Sequence, residues 1–294
     1  VDVLKAFVVI VYFFAGVAKV NSDWLLHALP LRIWLPAKND LPLIGGLFNY
    51  TSVAYIFSWA GCLYDLTIPV LLLNKSTRLL AYCTVIIFHV LTAVLFPIGV
   101  FPYVMIATAL IFFSPAFHQK IIRYITRVLK ISSAYLQPGS VYQYPKRVSK
   151  LVIGFFILFL LIQILLPLRY LAYPGNLFWT EEGYRFSWRV MLMEKAGHAQ
   201  FIVKDDHGKT AYVNNSDFLT PLQEKMMATQ PDMILQYAHI LHQHYQSQHF
   251  VNPQVYADVH VTLNGRRSKP FIDSTVNLAQ ERDSFAHKQW IRSN

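Results

Sequence analysis

Lys19 closes an apolar run that begins at Val3, and Tyr12, Gly16 and Lys19 stand at i, i+4 and i+7. On a helix the three share one face. Two chemistries are open to a lysine in that place. It is either an anchor whose ammonium snorkels to lipid headgroups, or a base in a low-dielectric pocket that lets the amine shed its proton. A tyrosine on the same stripe favours the base. So does the glycine between them, which would let a second backbone or a flat ligand come close. Asp65 in GCLYDLTIP and His89 in VIIFHVLTAVLF also lie inside apolar runs. Ionisable groups are costly in a bilayer and there face a partner or a cavity. For both, a structural hydrogen bond and a supporting role in a cavity stay open. A further candidate is GNLFWTEEGYRFSWR at 175–189, which carries Trp179, Arg185, Trp188 and Arg189. It reads as an interfacial aromatic belt running into a strand, or as a binding surface, since aromatic and arginine side chains are common anchors.

Other chemistries lack their signals. His239 and His242 stand at i, i+3, with His244 and His249 after them, but His242 and His244 point to different helix faces. No cysteine or well-spaced carboxylate completes a zinc set, so no metal is expected. There is no G-x-G-x-x-G, P-loop, G-x-S-x-G or H-E-x-x-H, which removes the usual nucleotide and serine-hydrolase readings. The net charge of +10 does not argue for nucleic acid, because seven Lys/Arg and no acidic residue fall between His118 and Lys150. That is the pattern of a cytoplasmic loop.

The elements that would carry these residues follow from hydropathy. Of the 294 residues 54% are hydrophobic and only 14% charged, against about 25% charged in soluble domains. The fold class expected is a multi-pass α-helical membrane domain over 1–170, followed by a β-rich α+β extracytoplasmic domain over 171–294. Membrane helices are predicted near 3–20, 52–73, 77–96, 99–115 and 150–168. The 21–51 connection keeps a stripe of Trp24, Ala28, Leu31 and Leu35 that Pro30 and Pro36 interrupt, and is expected to lie in the membrane interface with Trp24 and Trp34 at headgroup level. Cys62 and Cys83 are expected to be buried thiols. With the 116–150 loop cytoplasmic, parity puts Lys19 and everything after 168 on the outer side. Beyond 169 the period changes to two. Tyr184 to Leu192 alternates as a strand, and 199–204 with 209–214 forms a hairpin. Thr220-Pro221 opens a helix with Gln223 in a capping box, a second helix runs from about 232 to 248, and a strand at 255–263 ends on Asn264-Gly265. The helical pair is thus an insertion near 220–249.

YFFAGVAKVNSDW at 12–24, FHVLTAVLFPIGVFPYVM at 88–105 and GNLFWTEEGYRFSW at 175–188 together resemble the vitamin K-dependent γ-carboxylase family, also described as HTTM-domain proteins, in a form closer to its bacterial members. The resemblance covers nearly the whole chain. It implies a membrane enzyme that oxygenates reduced vitamin K, a lipid hydroquinone, with O2. The strong base so made removes a γ-proton from a peptide glutamate, and CO2 adds to the carbanion. The family's base is the lysine of A-G-V-x-K-x-x-x-D-W, which Lys19 matches, and Tyr12 matches a family tyrosine two turns earlier. Asp65 and His89 would support the cavity, while Trp179, Arg185, Trp188 and Arg189 would shape the substrate entrance. The partners implied are a peptide or protein glutamate substrate, a lipid quinone and the bilayer. Two departures bear on this. Position 18 is alanine where vertebrate members have a second lysine, and the family carries further N-terminal helices with an Asn-His pair that this sequence does not include. The N-terminal part of a longer protein is therefore expected to be missing. Two rival readings remain: a quinone epoxidase that does not carboxylate, and a transporter or membrane-anchored binding protein.

Overall fold

The computed structural model describes residues 1–130 and 145–293, so the 131–144 part of the expected cytoplasmic loop lies outside the described residues. Long apolar helices fill the N-terminal part, and a small antiparallel sheet domain follows. In chain order the helices are α1 (Asp2–Lys19), α2 (Ser22–His27), α3 (Leu31–Trp34), α4 (Thr51–Leu73), α5 (Arg78–Leu95), α6 (Phe101–Ala109), α7 (Pro115–Val128) and α8 (Lys146–Leu165). By length and composition, Thr51–Leu73, Arg78–Leu95 and Val148–Ala172 suffice to cross a membrane. A fourth span results if Phe101–Phe112 and Pro115–Val128 count as one across their 117° bend. α1 is as long as α5, but carries Asp2 and Lys5 at one end and Lys19 at the other.

The single helix expected over 99–115 is corrected. Its helical structure ends at Phe112, and Ser114 turns to an extended ψ of 155° and accepts the Phe117 N–H at 3.4 Å. Pro115 then occupies the first turn of α7, a position proline favours because its missing N–H would have no partner there. A serine cap followed by proline starts a new helix rather than continuing the old one. Cys83 is a second correction, since it is exposed on α5 while Cys62 is buried.

Backbone contacts divide the chain into two compact units, Val1–Val20 with Trp59–Leu166 and Asn21–Ser58 with Pro167–Asn294. The 21–58 segment, which includes the start of α4, thus groups with the C-terminal residues and not with α1 or the rest of α4. Its expected stripe is real, but Trp24, Ala28, Leu31 and Leu35 are all buried in protein. Ala28 in the left-handed region (φ 50°) separates α2 from α3. Trp24 Nε1 donates to the Ser58 carbonyl at 2.8 Å and Trp34 Nε1 to Glu194 Oε2 at 2.5 Å. Both indoles thus find acceptors within their own unit, Trp24 fully buried and Trp34 half-buried.

The second unit continues with α9 (Leu177–Thr180), α10 (Pro221–Met227), α11 (Pro231–Ser247) and strands β1 (Lys195–Lys204), β2 (Thr210–Tyr212), β3 (Gln254–Leu263) and β4 (Lys269–Pro270). The antiparallel sheet has the order β2-β1-β3-β4, with Ala199 opposite Val259 and Val203 opposite Val255. Ala199, Phe201 and Val203 of β1 and every second residue of β3 from Val255 to Leu263 are buried. α11 brings Ile234, Leu235, Tyr237, Ala238 and Leu241 into the same core. Phe201 meets Tyr237 edge-on at 4.9 Å. The Thr220–Gln223 capping box opens α10 as predicted.

The strand expected over 184–192 does not form. Glu181, Gly183, Phe186, Trp188 and Met191 all have φ between 53° and 81°. A strand cannot pass through repeated left-handed positions, so this stretch is a run of turns.

Candidate active site

Two clusters on α1, α4 and α5 gather the intramembrane candidates. The first is an ion pair: Lys19 Nζ donates to Asp65 Oδ2 at 2.6 Å and to the Ala15 carbonyl at 3.2 Å. Both side chains are about nine-tenths buried (11% and 8% exposed). This close meeting of α1 and α4 depends on Gly16. A Cβ there would lie 2.6 Å from Leu66 Cδ2 and 3.1 Å from the Leu66 backbone nitrogen. Cys62 Sγ faces the Gly16 carbonyl at 3.8 Å. The glycine that suggested a close backbone approach in the sequence makes one.

The second cluster is Tyr12, Tyr64 and His89. The Tyr12 hydroxyl lies 3.3 Å from the Tyr64 hydroxyl and 3.2 Å from His89 Nε2. Phe88 stacks on Tyr64 with centroids 3.8 Å apart, and Phe101 packs edge-on to His89. His89 Nδ1 is buried and has no hydrogen-bond partner among the described residues. An unpaired buried ring nitrogen costs about 1–3 kcal/mol, so this cluster has hydrogen-bonding capacity left over. Tyr64 was not singled out from the sequence. Its position beside Asp65 on α4 was the only available signal.

Tyr12, Lys19, Asp65 and His89 thus sit on helices that meet, while the four candidates at 175–189 have separate settings. Trp179 is corrected: it is 1% exposed in the sheet-domain core, edge-on to Phe271 at 5.0 Å, with Nε1 donating to the Arg292 carbonyl at 2.6 Å. It cannot shape an entrance. Arg185 is about half exposed and donates to Asp232 Oδ2 and Gln230 Oε1, both at 2.7 Å. Arg189 lies over the Tyr170 ring at 4.4 Å, and burial pulls its guanidinium below its ordinary range. Trp188 is half-buried. The adjacent glutamates are internal struts. Glu181 pairs with buried Lys195 at 2.8 Å, and Glu182 accepts from the Lys288 backbone N–H at 2.7 Å and faces His287 Nδ1 at 3.0 Å. Burial lowers the Lys195 ammonium from its ordinary range, opposed by Glu181.

Among the described residues no group of three or more His, Cys, Asp or Glu could hold a metal. His239 Nε2 contacts the Glu281 carbonyl at 2.9 Å and His242 Nδ1 the Pro253 carbonyl at 2.7 Å, so they serve different backbone partners.

Two family models match the chain. One described as the HTTM domain covers residues 1–117, and one described as the vitamin K-dependent gamma-carboxylase lumenal domain covers residues 148–294. No solved structure matches the chain significantly.

Proposed function

The chain belongs to the vitamin K-dependent γ-carboxylase family, and on that premise we propose that it is an integral-membrane enzyme coupling oxygenation of a reduced lipid quinone to γ-carboxylation of peptide glutamate. The observation that carries this reading is the buried Lys19–Asp65 pair on α1 and α4, the helices that also carry Tyr12 and Tyr64 of the cluster completed by His89 of α5. When bound, a reduced quinone supplies, on reaction with O2, a base strong enough to take a glutamate γ-proton, after which CO2 adds to that carbon.

The chain's own residues supply the first proton transfer. Lys19 Nζ passes a proton to Asp65 Oδ2, at 2.6 Å, and the resulting neutral amine accepts one from a bound hydroxyl. The hydroxyls of Tyr12 and Tyr64 and His89 Nδ1, which has no hydrogen-bond partner among the described residues, suit a ligand with an apolar body and polar oxygens. Phe88 and Phe101 keep water from the histidine, and a carbanion reaction needs a dry site. On the sheet domain, assigned to the extracytoplasmic side, Arg185, Trp188 and Arg189 are the residues proposed to meet the peptide.

The test is labelled CO2 incorporation into a Glu-containing peptide by the full-length gene product with vitamin K hydroquinone and O2, for wild type and Lys19→Ala. The expected outcome is incorporation that drops about 10²–10⁴-fold in the variant, the worth of a positioned base. Epoxide formation without CO2 uptake would leave a quinone oxygenase and remove the carboxylase. Undiminished turnover in Lys19→Ala would remove Lys19 as the base.

A further inference from the structure

α7 is the element that the proposed chemistry does not use. Ile121, Ile125, Val128 and Leu129 recur at i, i+4, i+7 and i+8 and are all exposed, Val128 and Leu129 each to 61%. Lys120, Arg123 and Arg127 recur at i, i+3 and i+7 and form a second face, also exposed. The helix therefore has one apolar and one basic side. No acidic residue occurs from His118 to Lys150 to neutralise the basic side. Among the described residues no carboxylate pairs with Lys120, Arg123 or Arg127.

The placement of α7 adds an independent observation. The chain turns by 117° between Phe101–Phe112 and Pro115–Val128, so α7 runs across the direction of α6. The corner is built in. Phe113 stacks on Phe117 at 4.2 Å, Tyr82 of α5 packs edge-on to Phe113, and His118 Nε2 contacts the Leu110 carbonyl at 3.1 Å. An amphipathic helix bent sharply away from the apolar helix before it, with lysine and arginine on its polar side, has the form that lies in a bilayer surface.

We infer that α7 is an interfacial helix that seats Ile121, Ile125, Val128 and Leu129 in the acyl boundary and holds Lys120, Arg123 and Arg127 on anionic phospholipid headgroups. This stands apart from the carboxylase reading and needs only that the neighbouring helices cross a membrane.

The experiment uses the full-length protein in phosphatidylcholine nanodiscs with and without phosphatidylglycerol. Hydrogen exchange is followed at the α7 amides of wild type and of a Lys120→Gln/Arg123→Gln/Arg127→Gln variant. Protection is expected to be higher with phosphatidylglycerol, and to fall about fivefold for each charge removed, the equivalent of one basic residue at an anionic surface. In phosphatidylcholine alone the variant should match wild type. A spin label at Ile125→Cys, in a Cys83→Ser background, should collide with oxygen more than with a water-soluble nickel chelate, and one at Arg123→Cys should do the reverse. Equal protection in the two lipids would overturn the inference. So would a label at position 125 that is open to the chelate, or one shielded from both reagents by protein.

Discussion

Lys19 and Asp65 can be taken apart one partner at a time, and that separates what the pair does for the fold from what it does for chemistry. Removing one member of a buried pair strands the other charge and costs about 3–5 kcal/mol, whereas replacing both with apolar residues is often neutral. Asp65→Leu is therefore expected to lower the unfolding temperature sharply, and Lys19→Met/Asp65→Leu to recover it while remaining inactive. Lys19→Arg is the complementary probe. The guanidinium keeps the pairing with Asp65 but does not give up a proton, so stability should persist while turnover is lost. Thermal unfolding and epoxide formation on wild type and these three variants check this, and an active Lys19→Arg would rule out the base. The lysine was legible because Tyr12, Gly16 and Lys19 share a helix face, and Asp65 because it interrupts an apolar run. Their pairing was not, because a contact between residues 46 apart in sequence leaves no periodic trace. Trp179 shows the converse. Its residue type marks binding sites and cores alike, and only its 1% exposure decides between them.

At the scale of elements, the α1–α4 crossing rests on Gly16. Glycine inside a helix costs about 1 kcal/mol relative to alanine, so packing must compensate for its presence. Gly16→Ala would place a methyl 2.6 Å from Leu66 Cδ2 and 3.1 Å from the Leu66 nitrogen. The side chain can turn aside, but the backbone cannot. The expected result is a loss of about 1–3 kcal/mol, typical of overpacking, with activity falling further because the Lys19–Asp65 distance opens. Adding Leu66→Ala should restore only part of the stability, and a complete restoration in thermal unfolding would show that the backbone was never close. The long helices were legible because apolar runs of that length mark membrane-crossing helices whichever side chains they present. The 184–192 stretch misled because side-chain alternation carries no information about φ. Tyr184, Phe186 and Trp188 alternate as a strand would, yet Phe186 and Trp188 are left-handed at 54° and 57°. The break at Ser114-Pro115 was within reach of local rules, but the surrounding apolar residues concealed it.

At the scale of the whole molecule, the unforeseen feature is that 21–58 groups with 167–294. Apolarity could not reveal it, since a stripe such as Trp24, Ala28, Leu31 and Leu35 suits lipid and protein equally. The join is polar and has a pH signature. Asp23 accepts from Asn264 Nδ2 and Arg266 Nη1, both at 2.8 Å, and from Arg266 Nη2. The Arg266 hydrogen bond is the main cause that holds the Asp23 carboxyl below the usual carboxylate range, and the same bond raises the guanidinium. Because the folded value lies below the unfolded one of about 3.9, Asp23 contributes its full stabilisation above the unfolded value. That contribution is lost as pH falls through the folded value. Asp23→Asn should thus lower the unfolding temperature at neutral pH and flatten the decline in acid. Asp273 is also held low, chiefly by the Thr275 backbone N–H and hydroxyl, so wild type keeps a second acid-sensitive carboxylate. The difference between wild-type and Asp23→Asn melting curves across pH removes that shared part. It should shrink toward zero in acid, and should narrow with added salt because Arg266 is nearly half exposed. A difference independent of pH would mean that the Asp23–Arg266 contact carries no ionic stabilisation, and that other contacts such as the Asn264 hydrogen bond and the Trp34–Glu194 hydrogen bond hold the segment.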